Sequence, residues 1–424
     1  MGKNKTLFSI EIISFMIICC SGYSLFMRSR IFMIGIFAVA VILKNLNGTK
    51  WKIQKSAIGI LLIAFILFLV MQTPFSYNLS ESLKYIYIYF GILMLILMPN
   101  KEKFISCSVN WIEKICKIIA STIILNMLIP NVFRDYLYFL ISGGRSAVPR
   151  LTKEISEHIY SGIMGEKGEA AFMMVIAIIL ILGRCTGENK MKKKDKIWLC
   201  IFLLALLLPA KRMLFAIGIA ICLLYIIFWT RGTKKIKMLA GFCLIGIIGL
   251  MIVFSMPAFD TLLNRFLTYS GDDTANGRTY LWAYALEMFH KKSLWGYGYG
   301  SFNKYASERG VILTESREWV SQAHNIYLQL LGETGIIGTV IFLTISIYGI
   351  YLFYCLYKQR KIMDNKDRDI LFLGGNIQVL TLVYGISGNI IYYSNQVMVY
   401  FFGISMMIYL QHKYLVLHKR QRIY

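Results

Sequence analysis

Two stretches of this chain carry side chains whose types and spacing could do chemistry. The first is Ser321-Gln322-Ala323-His324-Asn325-Ile326-Tyr327-Leu328, which continues through Glu333-Thr334-Gly335 into an apolar run. If Ser321 is the helix cap, His324 falls in the first turn, where the helix dipole disfavours an imidazolium. A ring kept neutral there can accept a proton, and the amides of the same turn can hold a phosphate oxygen. The bland alternative is an interfacial histidine packed between helices. The second stretch runs from Gly277-Arg278-Thr279-Tyr280-Leu281-Trp282 to Trp295-Gly296-Tyr297-Gly298-Tyr299-Gly300. Leu281, Ala285 and Met288 repeat at helical spacing behind Asp272 and Asp273 as caps, which fits a helix lying on a membrane surface. Arg278 at its start either snorkels or meets a ligand. The alternating glycines follow no strand and open no βαβ unit, which argues against a dinucleotide loop. A tight turn that brings Tyr297 and Tyr299 against a ligand or a neighbouring helix is the better reading.

Further cations stand at Lys211 and Arg212, after Pro209-Ala210, and at Arg145 and Arg150. Glu166-Lys167-Gly168-Glu169 either orients a bound sugar or makes an ion-paired helix start. Asp367-Arg368-Asp369 has the spacing of a metal-binding DxD, but its neighbours place it in the cytoplasm, and Asp272-Asp273 lacks the spacer. With no CxxC and no Cys/His cluster, neither a metal nor a cofactor is expected.

The elements that position these residues are membrane spans. Of 424 residues, 57% are apolar and 16% charged, a balance that excludes an ordinary soluble domain. Apolar runs near 7–26, 31–43, 57–71, 83–98, 111–130, 170–183, 197–210, 213–229, 238–256, 335–357, 370–387 and 390–410 suit an all-α, polytopic integral membrane protein of about 12 transmembrane helices. The first run follows Lys3 and Lys5, lacks a small-residue cleavage site and reads as an uncleaved span. The net charge of +24 reads as topology rather than as affinity for nucleic acid. With both termini cytoplasmic, 27 of the 46 Lys and Arg residues fall in cytoplasmic segments, anchored by Lys192-Lys193-Lys194 and the Arg231 to Lys237 cluster. Residues 131–168 and 257–323 are then long external segments. The chain divides into residues 1–256, with nine spans and the external loop 131–168; 257–334, a large external loop holding the amphipathic and His-Asn helices; and 335–424, with three spans and a basic cytoplasmic tail.

The Gly277-Arg278 opening with Trp282, the Gly-rich aromatic turn, and His324-Asn325-x-Tyr327-Leu328 followed by Leu331, Glu333, Gly335 and Gly338 together resemble the O-antigen ligase and Wzy-type polysaccharide polymerase superfamily. Ser293 stands where that family commonly has a proline. The resemblance implies a GT-C-like glycosyltransferase in the bacterial cytoplasmic membrane, working on its outer face without a metal. It implies a polyprenyl-pyrophosphate-linked oligosaccharide as donor and as acceptor, membrane lipids around it, and flippase and chain-length regulator proteins as partners. His324 is then the base or orienting group for the attacking hydroxyl, while Arg278 and Arg212 stabilise the departing pyrophosphate. Lys211, Arg145, Arg150, Tyr297, Tyr299 and Asn325 fall to substrate binding. A polymerase is expected first, on residue usage that hints at a source without lipopolysaccharide. A ligase that moves the glycan to a lipid or protein is the alternative, and a flippase for the same lipid-linked oligosaccharide is the rival of another class. The flippase would call for internal repeats and mid-membrane ionisable groups, and the sequence shows no repeat.

Overall fold

The computed structural model describes residues 2–46, 56–99, 101–188, 191–255, 278–309 and 322–416. Among these the chain is helical, and its only extended pairing is an isolated bridge between Ser24 and Ile141. Each of the twelve apolar runs falls on a helix: α1 (Gly2–Cys20), α2 (Arg30–Leu46), α3 (Ala57–Gln72), α4 (Leu79–Leu97), α5 (Lys101–Leu128), α8 (Lys167–Glu188), α9 (Lys193–Leu207), α10 (Arg212–Trp229), α11 (Gly232–Ser255), α14 (Ile326–Lys358), α15 (Asn365–Tyr384) and α16 (Ser394–Gln411). Four shorter helices lie between them: α6 (Pro130–Tyr136), α7 (Val148–Ser156), α12 (Arg278–Lys291) and α13 (Phe302–Ser307). Side-chain caps fix several starts. Ser56 accepts the Gly59 amide, Asn78 that of Glu81, and Asp364 that of Asp367.

Six of these segments are long and apolar enough to cross a bilayer: Met27–Leu46, Ala57–Phe75, Leu79–Leu97, Lys167–Thr186, Arg212–Trp229 and Ile326–Lys358. α5 and α6 pass the same test as a pair, bent by 107° at Ile129. That is fewer than a dozen; among the helices outside this set, α9 has only 15 residues, and α15 and α16 are interrupted by polar side chains. They carry Asn376, Gln378, Asn395 and Gln396, all buried against other helices. A helix enclosed by protein can hold polar side chains that a lipid-facing one cannot. α8 is enclosed as well, by α5, α9, α10 and α15, while α16 sits among α1, α4, α14 and α15. Outside them, Phe32, Ile60, Ile236 and Ile347 stand exposed, an apolar surface suited to lipid.

The segments that join helices at one end interlock. Tyr23 donates its amide to Met164 and accepts that of Ser142, Tyr160 donates to Leu208, Tyr77 to Tyr297, and Ile326 to Gly385, at 2.7–3.2 Å. The long segment 131–168 is part of this cap and folds around Phe133, Ile141, Ala147 and Leu151. α14 is broken inside. Gly335 has φ 60° and ψ −167°, and the freed amides of Ile336 and Ile337 donate to the carbonyls of Ser293 and Leu294. A Cβ on Gly335 would lie 2.3 Å from the Leu294 oxygen, so only glycine lets the aromatic turn enter the break.

Candidate functional site

His324 stands immediately before α14. Asn325 is the cap, its side-chain oxygen accepting the amides of Tyr327 and Leu328 at 3.0 and 3.2 Å. This corrects the expectation that Ser321, which lies outside the described residues together with Asp272, Asp273 and Gly277, caps a helix containing His324. It also gives the side-chain oxygen of Asn325 a structural task. His324 has φ 56°, left-handed backbone that costs a non-glycine residue about 1 kcal/mol. Its neighbours hold it there: Ala323 donates to Gln329 Oε1 at 2.8 Å, and the Ile326 amide donates to the Gly385 carbonyl at 2.9 Å.

The His324 ring is neutral for a reason other than the helix dipole. Burial pushes its pKa down to about 4, Arg278 and Lys211 push the same way, and Glu166 opposes them. Its Nδ1 lies 3.1 Å from Nδ2 of the buried Asn389.

Arg278 is the first residue of α12, and its Nη1 donates to the Ser387 carbonyl at 3.2 Å. Burial and the nearby Arg212 lower its pKa, against the pull of Tyr384, and a guanidinium remains charged. α12 buries Leu281, Ala285 and Met288, as their spacing predicts, and packs on α14. The helices come close at Gly332, where a Cβ would meet the Ala285 carbonyl at 2.6 Å. Lys211 precedes α10 after a left-handed Ala210 (φ 54°) and forms an ion pair with Glu166 at 3.7 Å. Burial would raise the Glu166 carboxyl, yet Lys211 and the Gly168 and Glu169 amides hold it below the ordinary range. The 166–169 segment is thus an ion-paired helix start. Arg212 is exposed at the first position of α10.

The other expected residues lie elsewhere. Tyr299, expected at the substrate, is 1% exposed; its ring stacks on Tyr392 and its hydroxyl lies 3.2 Å from that of Tyr89. Tyr297 is edge-on to Tyr77 and Tyr305, with the Lys292 ammonium 4.7 Å from its ring. The aromatic turn therefore serves a neighbouring helix. Arg145 stands exposed on the turn Gly144–Ala147. Arg150, on α7, has Nε and Nη2 buried without a hydrogen-bond partner, and its charge acts on Glu154. Sequence reading passed over Gly385 and Ser387, which it placed at the end of the span 370–387, and Asn389, which it placed in the short turn that follows. The polar Ser387-Gly388-Asn389 between two apolar runs was the available signal.

The described residues thus bring a histidine, a guanidinium and an ammonium into electrostatic reach of one another where α10, α12 and α14 begin. Residues 197–343 match the model of a family described as O-antigen ligase, a likeness over about a third of the chain that supports kinship with the O-antigen ligase and Wzy superfamily and chemistry of the glycosyl-transfer type. Lys211, Arg212, Arg278 and His324 lie within the matched residues, and Asn389 lies outside them. No curated protein matches the chain.

Proposed function

We propose that this protein is a polysaccharide polymerase that joins polyprenyl-pyrophosphate-linked oligosaccharide units on the outer face of the bacterial cytoplasmic membrane. The observation that carries this reading is that one corner, Ser387 to Asn389, holds both the Arg278 guanidinium and the His324 ring, with burial and the nearby cations favouring the neutral imidazole. An acceptor hydroxyl attacks the anomeric carbon of the donor; the bond from that carbon to the phosphate oxygen breaks, and its electron pair leaves with the polyprenyl pyrophosphate. Arg278, Lys211 and Arg212 balance the charge that develops on the leaving group. His324 orients the attacking hydroxyl and takes up its proton. A ring with pKa about 4 is a weak base in the free protein. The pyrophosphate of a bound donor offsets the two nearby cations and raises that proton affinity when it is needed.

All twelve helices on the apolar runs act as spans in this reading, with the polar α15 and α16 inside a GT-C-like bundle. The Lys and Arg distribution supports cytoplasmic termini and an external cap. Donor, acceptor and lipids are the direct partners, with a flippase and a chain-length regulator as neighbours. The description of the matched family favours a second reading, in which a ligase moves the glycan to a lipid or protein anchor.

The test is purified protein with a polyprenyl-pyrophosphate-linked oligosaccharide, read as a glycan ladder on a gel beside folded His324→Ala and Arg278→Ala variants. A ladder lost in both variants supports the polymerase. Transfer only after a different acceptor is added favours the ligase, and no transfer to any acceptor overturns both.

A further inference from the structure

The corner between α15 and α16 holds three parts of the candidate site within five residues. Gly385 accepts the Ile326 amide at the start of the His324-bearing helix, Ser387 accepts the Arg278 guanidinium, and Asn389 holds the His324 ring. Asn389 is 3% exposed, and its Oδ1 is buried without a partner, so the carboxamide has few ways to turn. A carboxamide can hold an imidazole nitrogen from either end. Its N–H directed at Nδ1 leaves the ring proton on Nε2, and its oxygen accepting Nδ1–H leaves Nε2 bare. In both cases Nδ1 is engaged and Nε2 is the nitrogen that remains for a substrate.

We propose that Asn389 is a positioning residue which, by engaging Nδ1 of His324, fixes the imidazole plane and leaves Nε2 as the nitrogen presented to the acceptor hydroxyl, free to take its proton when the carboxamide oxygen accepts Nδ1–H. The role given to the hydroxyl rests on the polymerase reading, whereas the hold on the ring does not. The charged groups acting on the ring are Arg278 at the start of α12, Lys211 before α10 and Glu166 before α8. A carboxylate at position 389 would join them at the ring edge itself, bind Nδ1–H and favour the imidazolium. Substitution of one atom group therefore converts the hold on His324 into a measurable titration.

Two measurements on the full-length protein in detergent test this. In the first, diethylpyrocarbonate modification of His324 is followed by peptide mass spectrometry between pH 4.5 and 8. The parent is expected at its plateau above about pH 5.5, while Asn389→Asp shows a sigmoidal rise with a midpoint at least one pH unit higher. The same profile in parent and Asn389→Asp overturns the proposal without reference to any activity. In the second, transfer from a polyprenyl-pyrophosphate-linked oligosaccharide is measured. Asn389→Ala lowers kcat at least tenfold with KM within about threefold of the parent, and Asn389→Asp moves the acid limb of the rate profile upward. Unchanged kcat in Asn389→Ala, in a preparation whose parent is active, also overturns it. A parent without transfer sinks the polymerase reading and leaves the modification profile to decide on Asn389.

Discussion

The carboxyl group of Glu333 accepts the backbone N–H of Gly300 at 2.8 Å. Its other oxygen accepts from Phe302 at 2.9 Å and from Gln329 at 3.1 Å, while the Glu333 carbonyl accepts from Gly298 and Gln72, each at 2.8 Å. One fully buried residue thus ties the Gly296 to Gly300 turn, and through it α12 with Arg278, to the half-helix that follows His324.

Removing that carboxyl strands two buried amides, each costing about 1–3 kcal/mol. Glu333→Ala is expected to lower the unfolding midpoint in detergent well beyond Glu333→Gln, whose side-chain oxygen still accepts one bond. Equal midpoints for the two variants would show that the clamp contributes nothing.

Gly335 is the second half of the same joint. A methyl group there strains a φ of 60° and meets the Leu294 carbonyl at 2.3 Å, so Gly335→Ala pushes the turn out of the break. It is expected to cost about 2 kcal/mol or more and to abolish transfer. Gly241 on α11 has no heavy atom within 4 Å of the corresponding position, so Gly241→Ala should be neutral or stabilise by up to about 1 kcal/mol. Thermal midpoints of the two variants in parallel give the comparison.

Much of this was legible in the sequence because the bilayer restricts what a chain can do. All twelve apolar runs became helices, and the spacing of Leu281, Ala285 and Met288 gave the buried face of α12. Of the candidate site, local pattern and chemistry singled out His324 and Arg278 and nothing that holds them. Asn389 lies 65 positions from His324, and no periodicity links them. The roles of Asn325 and Tyr299 depended on where backbone amides and neighbouring rings came to lie, which local spacing does not encode. The break at Gly335 was hidden as well, because its neighbours read as continuous helix.

The pH dependence follows from the His324 pKa of about 4, below its ordinary value of 6.5. The neutral ring is the working form, so kcat/KM should be independent of this group from about pH 5.5 to 8 and fall as pH drops towards 4. Donor binding brings negative charge beside the ring, so the acid limb of kcat should lie higher than that of kcat/KM. The stability contribution has the same sign. The unfolded chain binds this proton first, so stability is fully present above about pH 6.5 and is lost as pH falls through 4. A rate that rises on acidification from pH 6.5 to 5 would contradict the assignment of a neutral ring.

Arg278 presents a planar fork with one arm already on Ser387. Arg278→Lys keeps a charge but cannot hold Ser387 and a phosphate with the same geometry. It is expected to lose about 10–100-fold in kcat/KM, and Arg278→Ala about 100–1000-fold, the scale of removing one preorganised donor from a charge-stabilising site. Full activity in Arg278→Ala would remove it from the site.

Beside the Glu166 end of this site, a buried Arg–Asn–Glu chain links α2, α16 and α8. Arg30 donates to Asn395 Oδ1 at 2.7 Å, and Asn395 Nδ2 donates to Glu169 Oε2 at 2.5 Å, with all three at most 5% exposed. Breaking such a chain on one side leaves an uncompensated charge in a dry interior, which costs about 3–5 kcal/mol; removing both charges together leaves none. Arg30→Met and Glu169→Gln are therefore each expected to lower the unfolding midpoint strongly, and the double variant to recover most of the loss. Such recovery is the signature of a coupled pair, because independent sites would add. If the double variant falls by the sum of the two single losses, Asn395 does not couple the charges, and the three helices are held by their apolar contacts alone.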